Sequence, residues 1–401
     1  MADAPALREL VGDPAGFLAT SWATGPAYVA ASDDRRALRD VLTLDDVDRI
    51  VASSGLRAPS FRLVEQGRTL PQRDVTRSVR IGSRPVSDLV DVAAVHRAVA
   101  DGATLVLQGL HRSFPPVAEL CRDLERTLTH PSQANAYLTP PVAQGLNLHA
   151  DPHDVFAVQT FGTKRWVVHP PDSDDPWDLT LTPGDVLYLP AGTRHAAQTI
   201  DTPSLHLTIG IRTVTWRQLV DRVVRDSLDG LDALVAPLPA GWADEPTLLR
   251  EQLASVLDDA ASALRSADDL DAPLEAQARS FWHSRTPDQT GLLRDLLDAD
   301  HLDDHTPLRR RAGVDVHVRT ADAGSERGDD TAASHLEVVL PDRLLRLPAN
   351  CAAALRRILD GKVARPADLD ELMDASSRRV LCRRLVREGV LTIAREGGVP
   401  R

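Results

Sequence analysis

The sequence predicts a mainly β core wrapped by helices, followed by a helical stretch and a small α+β region. Three observations carry that expectation. Short apolar or alternating runs separated by Gly/Pro turns crowd residues 130 to 214, helical spacing dominates on both sides, and beyond residue 300 strands return mixed with helices. Within the β-rich part, His149 and Asp151 lie two apart, on one face of an extended strand. His195 follows 44 residues after Asp151, beyond a Pro-Gly turn and a short apolar strand. Two imidazoles and one carboxylate make the facial triad of non-haem Fe(II) oxygenases, which leaves positions open for cosubstrate and oxygen.

At 401 residues the chain is long enough for two or three domains, and its 43% hydrophobic and 26% charged content is that of a soluble protein. A net charge of -12 argues against broad nucleic-acid binding by the whole chain and leaves room for a local basic patch. Three dispersed cysteines, Cys121, Cys351 and Cys382, suggest neither a disulfide framework nor a metal knuckle, and so a reducing cytoplasm. The N-terminal MADAPALRELVGDP has no leader pattern, and no apolar run is long enough for a membrane span. Nearly every cation is arginine. The only lysines are Lys164 and Lys362, so Lys164, inside the central stretch, marks a place for a compact ammonium.

In chain order, residues 1 to about 60 read as mostly helical, with Leu44, Val47, Ile50 and Val51 on one stripe behind Thr43 as N-cap. Ser60–Glu65 alternates like a strand, and Asp88–Ala100 reads as a helix capped by Ser87. Ala103–Gln108 suits a buried strand, and Pro115–Thr127 returns to helical spacing. Ala134–Leu138, Leu146–Val168, Leu179–Leu189 and Leu205–Val214 then complete a β core, a barrel or sandwich with helices outside. Amphipathic helices follow at Trp216–Val235, Pro246–Leu264, Leu274–His283 and Leu292–Leu297, a set suited to docking on another copy of the chain or to packing within it. Val314–Arg319, His335–Leu340, Asn350–Leu359, Asp368–Glu388 and Val390–Ala394 give strand, strand, helix, helix, strand, an order compatible with a winged helix whose polar loop or wing is Thr320–Ser334.

The segment Gly184-x5-Pro190-x-Gly192-x2-His195 resembles the second signature of the cupin superfamily, a double-stranded β-helix. Where many metal cupins carry a second His and a Glu, this chain has Asp151 and then Val155 and Phe156, which leaves only the triad. A fuller resemblance, carried by HADPHDVFAVQTFGTKRW from His149 to Trp166, is to JmjC-type ribosomal oxygenases, Fe(II)- and 2-oxoglutarate-dependent protein hydroxylases. That resemblance implies His149, Asp151 and His195 as metal ligands and catalytic centre. It implies Lys164, 13 residues after Asp151, on the distal carboxylate of 2-oxoglutarate, with Arg212 as the rival cation. Asn135, 14 residues before His149, Tyr137 and Thr208 complete the implied cosubstrate pocket.

The resemblance also implies a layout: a JmjC/cupin catalytic domain over 1–214, a helical dimerisation module over 215–300 and a winged-helix-like domain over 301–401. It implies a homodimer acting on a protein substrate, an Arg or His β-carbon of a ribosomal protein. A peptide natural-product precursor or a small molecule is the alternative substrate, and a non-catalytic metal cupin feeding a DNA-contacting winged helix the alternative class. Arg378, Arg379, Arg383, Arg384 and Arg387 on one predicted helix, with Arg309–Arg311, form the basic face that such DNA contact would use. Interspersed acids and the lack of interleaved aromatics argue against direct nucleic-acid binding there, and favour a solvated face or contact with a ribosomal RNA-associated substrate.

Overall fold

The computed structural model describes residues 4–53, 55–141, 147–199, 201–229, 231–265, 270–321 and 335–395. They fall into two compact units, 1–214 and 215–401. Leu146 and most of the Thr320–Ser334 segment lie outside the described residues.

The first unit is two facing sheets with helices on one side. The larger is built from β1 (Ala27–Val29), β2 (Phe61–Glu65), β3 (Arg68–Thr69), β6 (Thr104–Leu107), β7 (Ser132–Thr139), β9 (Asp154–Gly162), β12 (Val186–Leu189) and β14 (Ser204–Ile211), in the order β1-β12-β9-β14-β7-β6-β2-β3. The smaller orders β11 (Trp177–Leu181), β10 (Lys164–His169), β13 (Arg194–Gln198) and β8 (His149–Ala150). A separate hairpin joins β4 (Thr76–Ile81) to β5 (Arg84–Val90).

Burial along β9 is continuous rather than alternating, because both of its faces are covered. Phe156 and Val158 join Leu7, Leu10, Val117 and Leu124 in the core under helices α1 (Pro5–Val11) and α6 (Pro115–Leu128). Val155 and Ala157 point the other way, into the core between the sheets with Trp166, Val168, Leu187 and Leu189. The expected β core with added helices is therefore present, and its strand crossings are those of a double-stranded β-helix.

Local chemistry sets the joints. Thr43 and Asp46 exchange hydrogen bonds in a reciprocal cap at the start of Leu44–Ser53. Gly162 turns β9 into β10 with φ +62°, and a Cβ there would lie 1.8 Å from the Pro203 carbonyl oxygen. The expected helix Asp88–Ala100 is instead the end of β5 followed by a helix over Val92–Ala100. Its cap is Asp91, whose carboxylate accepts from the Ala94 N–H, not Ser87. Leu89 pairs across the hairpin with Arg77, so cross-strand pairing outweighs a helical stripe shared by Leu89 and Val92.

The second unit opens with helices at Trp216–Leu228, Asp232–Val235, Arg250–Arg265, Asp271–His283 and Leu292–Asp298. A core follows in which Leu336, Val338, Leu355, Ile358, Leu381, Leu385 and Leu391 are buried together. Its three-stranded sheet joins His317–Ala321, His335–Val339 and Leu344–Pro348, and Leu308–Arg310 pairs separately with Leu391–Ile393. The expected single helix Asp368–Glu388 is interrupted: a 3-10 turn ends at Leu369 and a new helix runs Ala375–Arg387. Asp374 restarts it by accepting from the Ser376 and Ser377 N–H groups. The C-terminal arginines are largely engaged. Arg378 chelates Asp304 at 2.7 Å, Arg384 meets Glu388 at 2.7 Å, Arg387 pairs with Asp300, and Arg311 is buried against Asp295 at 2.6 Å. All three cysteines are buried and none forms a disulfide among the described residues.

Candidate metal and carboxylate site

The smaller sheet places the two histidines by register. His149 on β8 stands directly opposite His195 on β13, and their rings lie 4.4 Å apart. Asp151, just beyond β8, puts its carboxylate oxygens 3.8 Å from His149 Nε2 and 3.7 Å from His195 Nε2. One ligand atom from each of the three lies within 4.8 Å of the others, and this is the one such group among the described residues. The tautomers are fixed from behind: His149 Nδ1 donates to the Asn147 carbonyl at 2.8 Å and His195 Nδ1 to the Thr193 carbonyl at 2.9 Å. Each Nε2 lone pair is thereby left for a metal. Burial lowers the pKa of His195, which favours the neutral, ligating form.

The turn that delivers His195 is itself pinned. Buried Asp154 accepts the Tyr188 hydroxyl at 2.6 Å and the Ala191 N–H at 2.9 Å, while the Gly192 N–H donates to the Asp151 carbonyl. Gly192 takes φ +82° in that turn. His153, which shares the strand parity of the triad, stands elsewhere: its ring packs so closely on Gly210 that a Cβ there would be 2.7 Å away.

A cavity of about 100 Å³ opens between the sheets. The triad lines it together with Lys164, Trp166, Tyr137, Thr139, His206, Thr208 and, from β2, Arg62 and Val64. Lys164 is 4% exposed, and its ammonium donates to Thr139 Oγ1 at 3.2 Å. No carboxylate pairs with it among the described residues, and burial pushes its pKa down to about 7. An ammonium so placed is an anion site.

Tyr137 stacks on His206, with ring centroids 4.9 Å apart, and burial raises the tyrosine's pKa and holds that of His206 well below the ordinary value. Thr208 lies opposite Asn135 on the paired strand and faces the cavity. Asn135 shares the strand face of Tyr137 and Thr139, but its Oδ1 accepts the Gly109 N–H and the residue is outside the cavity lining. Arg212 is exposed and also outside it. His206 stands in the cavity wall, as a core or pocket-wall histidine would, while Arg62 and Thr139 are cavity residues without a sequence assignment there. They carry no motif and reach the site through the β2-β6-β7-β14 pairings.

Two sheets in a double-stranded β-helix, with a His-Asp-His cluster and a buried lysine between them, define the class of the JmjC and cupin oxygenase folds. Residues 110–219 match the JmjC domain, so the chain carries that domain. Its fold is shared with the E. coli ribosomal oxygenase YcfD in complex with cobalt and 2-oxoglutarate, at a TM-score of 0.51 and 18% identity over 96% of this chain and 99% of that one. The same enzyme with cobalt and succinic acid aligns at a TM-score of 0.50. Among relatives, the bifunctional lysine-specific demethylase and histidyl-hydroxylase NO66 of Drosophila sechellia is 28% identical over 231 residues, 48% of this chain. That of Branchiostoma floridae is 37% identical over 114 residues, 28% of this chain. The chain spans 35% and 18% of the lengths of those two proteins. The sequence resemblance thus agrees with a JmjC domain at residues 110–219 and with the fold of a ribosomal oxygenase.

Proposed function

We propose that this chain is an Fe(II)- and 2-oxoglutarate-dependent oxygenase that hydroxylates a protein side chain, with a ribosomal protein as the substrate and an Arg or His β-carbon as the target atom. The observation that carries the reading is Lys164, a buried ammonium with no carboxylate partner among the described residues, facing the same cavity as a His-Asp-His triad. The donor set fits a divalent iron: two imidazole nitrogens and a carboxylate converge, and the imidazoles are oriented by backbone carbonyls. The names of the relatives, a ribosomal oxygenase and a histidyl-hydroxylase, agree with it.

In this reading His149, Asp151 and His195 hold the metal, and Lys164 with Thr139 takes the distal carboxylate of the oxo acid. Tyr137 and Thr208 flank that carboxylate, and Asn135 steadies Tyr137 from behind. With iron and 2-oxoglutarate bound, the chemistry supplied would be oxidation of a substrate C–H bond to an alcohol by O2, one oxygen atom entering the substrate and the other going to succinate as the oxo acid loses CO2. The protein's own share is positioning and exclusion of water, for which Val155, Trp166 and Val106 supply the apolar wall. No side chain is asked to act as a general base.

The remaining layout is part of the same proposal. Within the second unit, residues 215–300 form a dimerisation module: Trp216 (82% exposed), Val220, Leu253 and Leu257 leave apolar surface open at i, i+4 spacings. Residues 301–401 form a winged-helix-like module in which Arg378, Arg384 and Arg387 serve ion pairs rather than DNA. No helix among the described residues is long and apolar enough to cross a membrane, and we place the protein in the cytoplasm. The test is mass spectrometry of ribosomal proteins from cells with and without this chain. A one-oxygen increment on an Arg or His that disappears with His149→Ala supports the reading, and an identical modification pattern in both cells overturns it.

A further inference from the structure

The β4–β5 hairpin reverses the electrostatics of the chain locally. Between Gln66 and Ser87 there are five arginines, Arg68, Arg73, Arg77, Arg80 and Arg84, against Asp74 alone, a local charge of +4 in a chain of -12. All five are exposed. Arg73 meets Asp74 at 3.6 Å, and none of the other four has a carboxylate within ion-pair distance among the described residues. This contrasts with Arg378, Arg384 and Arg387 of the second unit, which pair with Asp304, Glu388 and Asp300.

The geometry of the ribbon narrows the partner. Ile81 pairs with Arg84 across a Gly82-Ser83 turn in which Gly82 has φ +60°, and Arg80 pairs with Pro85. Successive residues of a strand face opposite ways, so Arg84 and Arg80 project from opposite faces of the hairpin. Cations on both faces do not match a single flat acidic surface. They match a groove with anionic walls on either side, and a two-stranded ribbon is an element that the groove of a nucleic-acid duplex admits. Guanidinium groups suit phosphate, which they bind in bidentate fashion. The hairpin is fixed at its root by the Val90 N–H to Leu56 carbonyl bond and by the Arg57–Asp88 ion pair at 2.7 Å. A few residues on, β2 carries Arg62 and Val64 into the cavity wall, so a ligand on the ribbon is held by the same body as the triad.

We infer that the β4–β5 ribbon is a nucleic-acid phosphate-binding element, entering the groove of a duplex with its arginines on both walls. The inference does not depend on the proposed hydroxylation. It is tested with the full chain by fluorescence anisotropy on a labelled DNA duplex, a labelled RNA hairpin and a labelled poly-glutamate peptide, across a salt series. The variants are Arg77→Gln/Arg80→Gln/Arg84→Gln and, in the second unit, Arg384→Gln/Arg387→Gln. Expected is duplex binding that weakens with salt, falls at least about ten-fold in the ribbon variant, and loses about 2.7 from its log–log salt slope on DNA, at about 0.9 per phosphate contact removed. The second-unit variant should bind as wild type does. A DNA or an RNA preference identifies the source of the phosphate. No duplex binding at low salt, binding unchanged in the ribbon variant, or equal binding of poly-glutamate overturns the inference. Far-UV circular dichroism and the Fe(II)/2-oxoglutarate absorption band, both expected unchanged in the ribbon variant, separate loss of binding from loss of fold.

Discussion

Replacing Lys164 by Met should make the empty protein more stable and the cosubstrate complex much weaker. The lysine is buried with one hydroxyl partner, and burial lowers its pKa from 10.5 to about 7. In the unfolded chain it binds its proton up to about pH 10.4. Between pH 7 and 10.5 the unfolded state therefore holds more protons than the empty native state, and native stability rises with pH across that window. Below pH 7 the whole cost of the buried charge is present, on the order of 5 kcal/mol at about 1.36 kcal/mol per pH unit. Lys164→Met removes that cost and its pH dependence. Truncating one partner of a buried charge pair costs about 2–5 kcal/mol, so 2-oxoglutarate affinity should fall roughly thirty-fold or more. In wild type that affinity should also weaken about ten-fold per pH unit above 7, because the carboxylate must first draw a proton onto the amine. Thermal melts at pH 6.5 and 9, with and without 2-oxoglutarate and Mn(II), read all of these effects. A ligand-free Lys164→Met protein that melts below wild type at pH 6.5, or one that binds 2-oxoglutarate as tightly, would refute the reasoning.

Other perturbations have equally definite outcomes. Asp154→Ala strands the Ala191 N–H and the Tyr188 hydroxyl, loosens the turn carrying His195, and should lower metal affinity about 10- to 100-fold by equilibrium dialysis. Gly162→Ala places a methyl 1.8 Å from the Pro203 carbonyl at a positive φ; a loss of more than about 3 kcal/mol in urea unfolding is expected. In the second unit Asp295 accepts from Arg311, Arg395 and Thr392, so Asp295→Ala leaves the buried Arg311 guanidinium without its carboxylate. It should cost about 3–5 kcal/mol in the transition of that unit.

Much of the first unit could be read from its sequence because the relevant signals are local. His149 and Asp151 share one strand face, Gly184, Pro190 and Gly192 shape the turns around β12, and Lys164 begins the strand after the Gly162 turn. The helix over Pro115–Leu128 and the strands β2, β6 and β7 follow directly from apolar periodicity. What escaped depends on long-range pairing. Arg62 enters the cavity only because β2 joins the sheet through β6, and Thr139 meets Lys164 across the gap between the sheets. The β4–β5 hairpin is mostly exposed and rich in arginine, so it has no core pattern to find. The break near residue 370 turns on the Asp374 cap, whose serine partners compete with a continuous apolar stripe from Leu369 to Leu385.

The central claim, that the triad and Lys164 together form one iron and oxo-acid site, is met most directly by anaerobic titration of the protein with Fe(II) and then 2-oxoglutarate, following the visible charge-transfer absorption of the chelate. A single shared site gives a band that saturates in wild type, needs far more 2-oxoglutarate in Lys164→Met, and is absent in Asp151→Ala. Iron bound without such a band in wild type, or a band indifferent to Lys164, would contradict it.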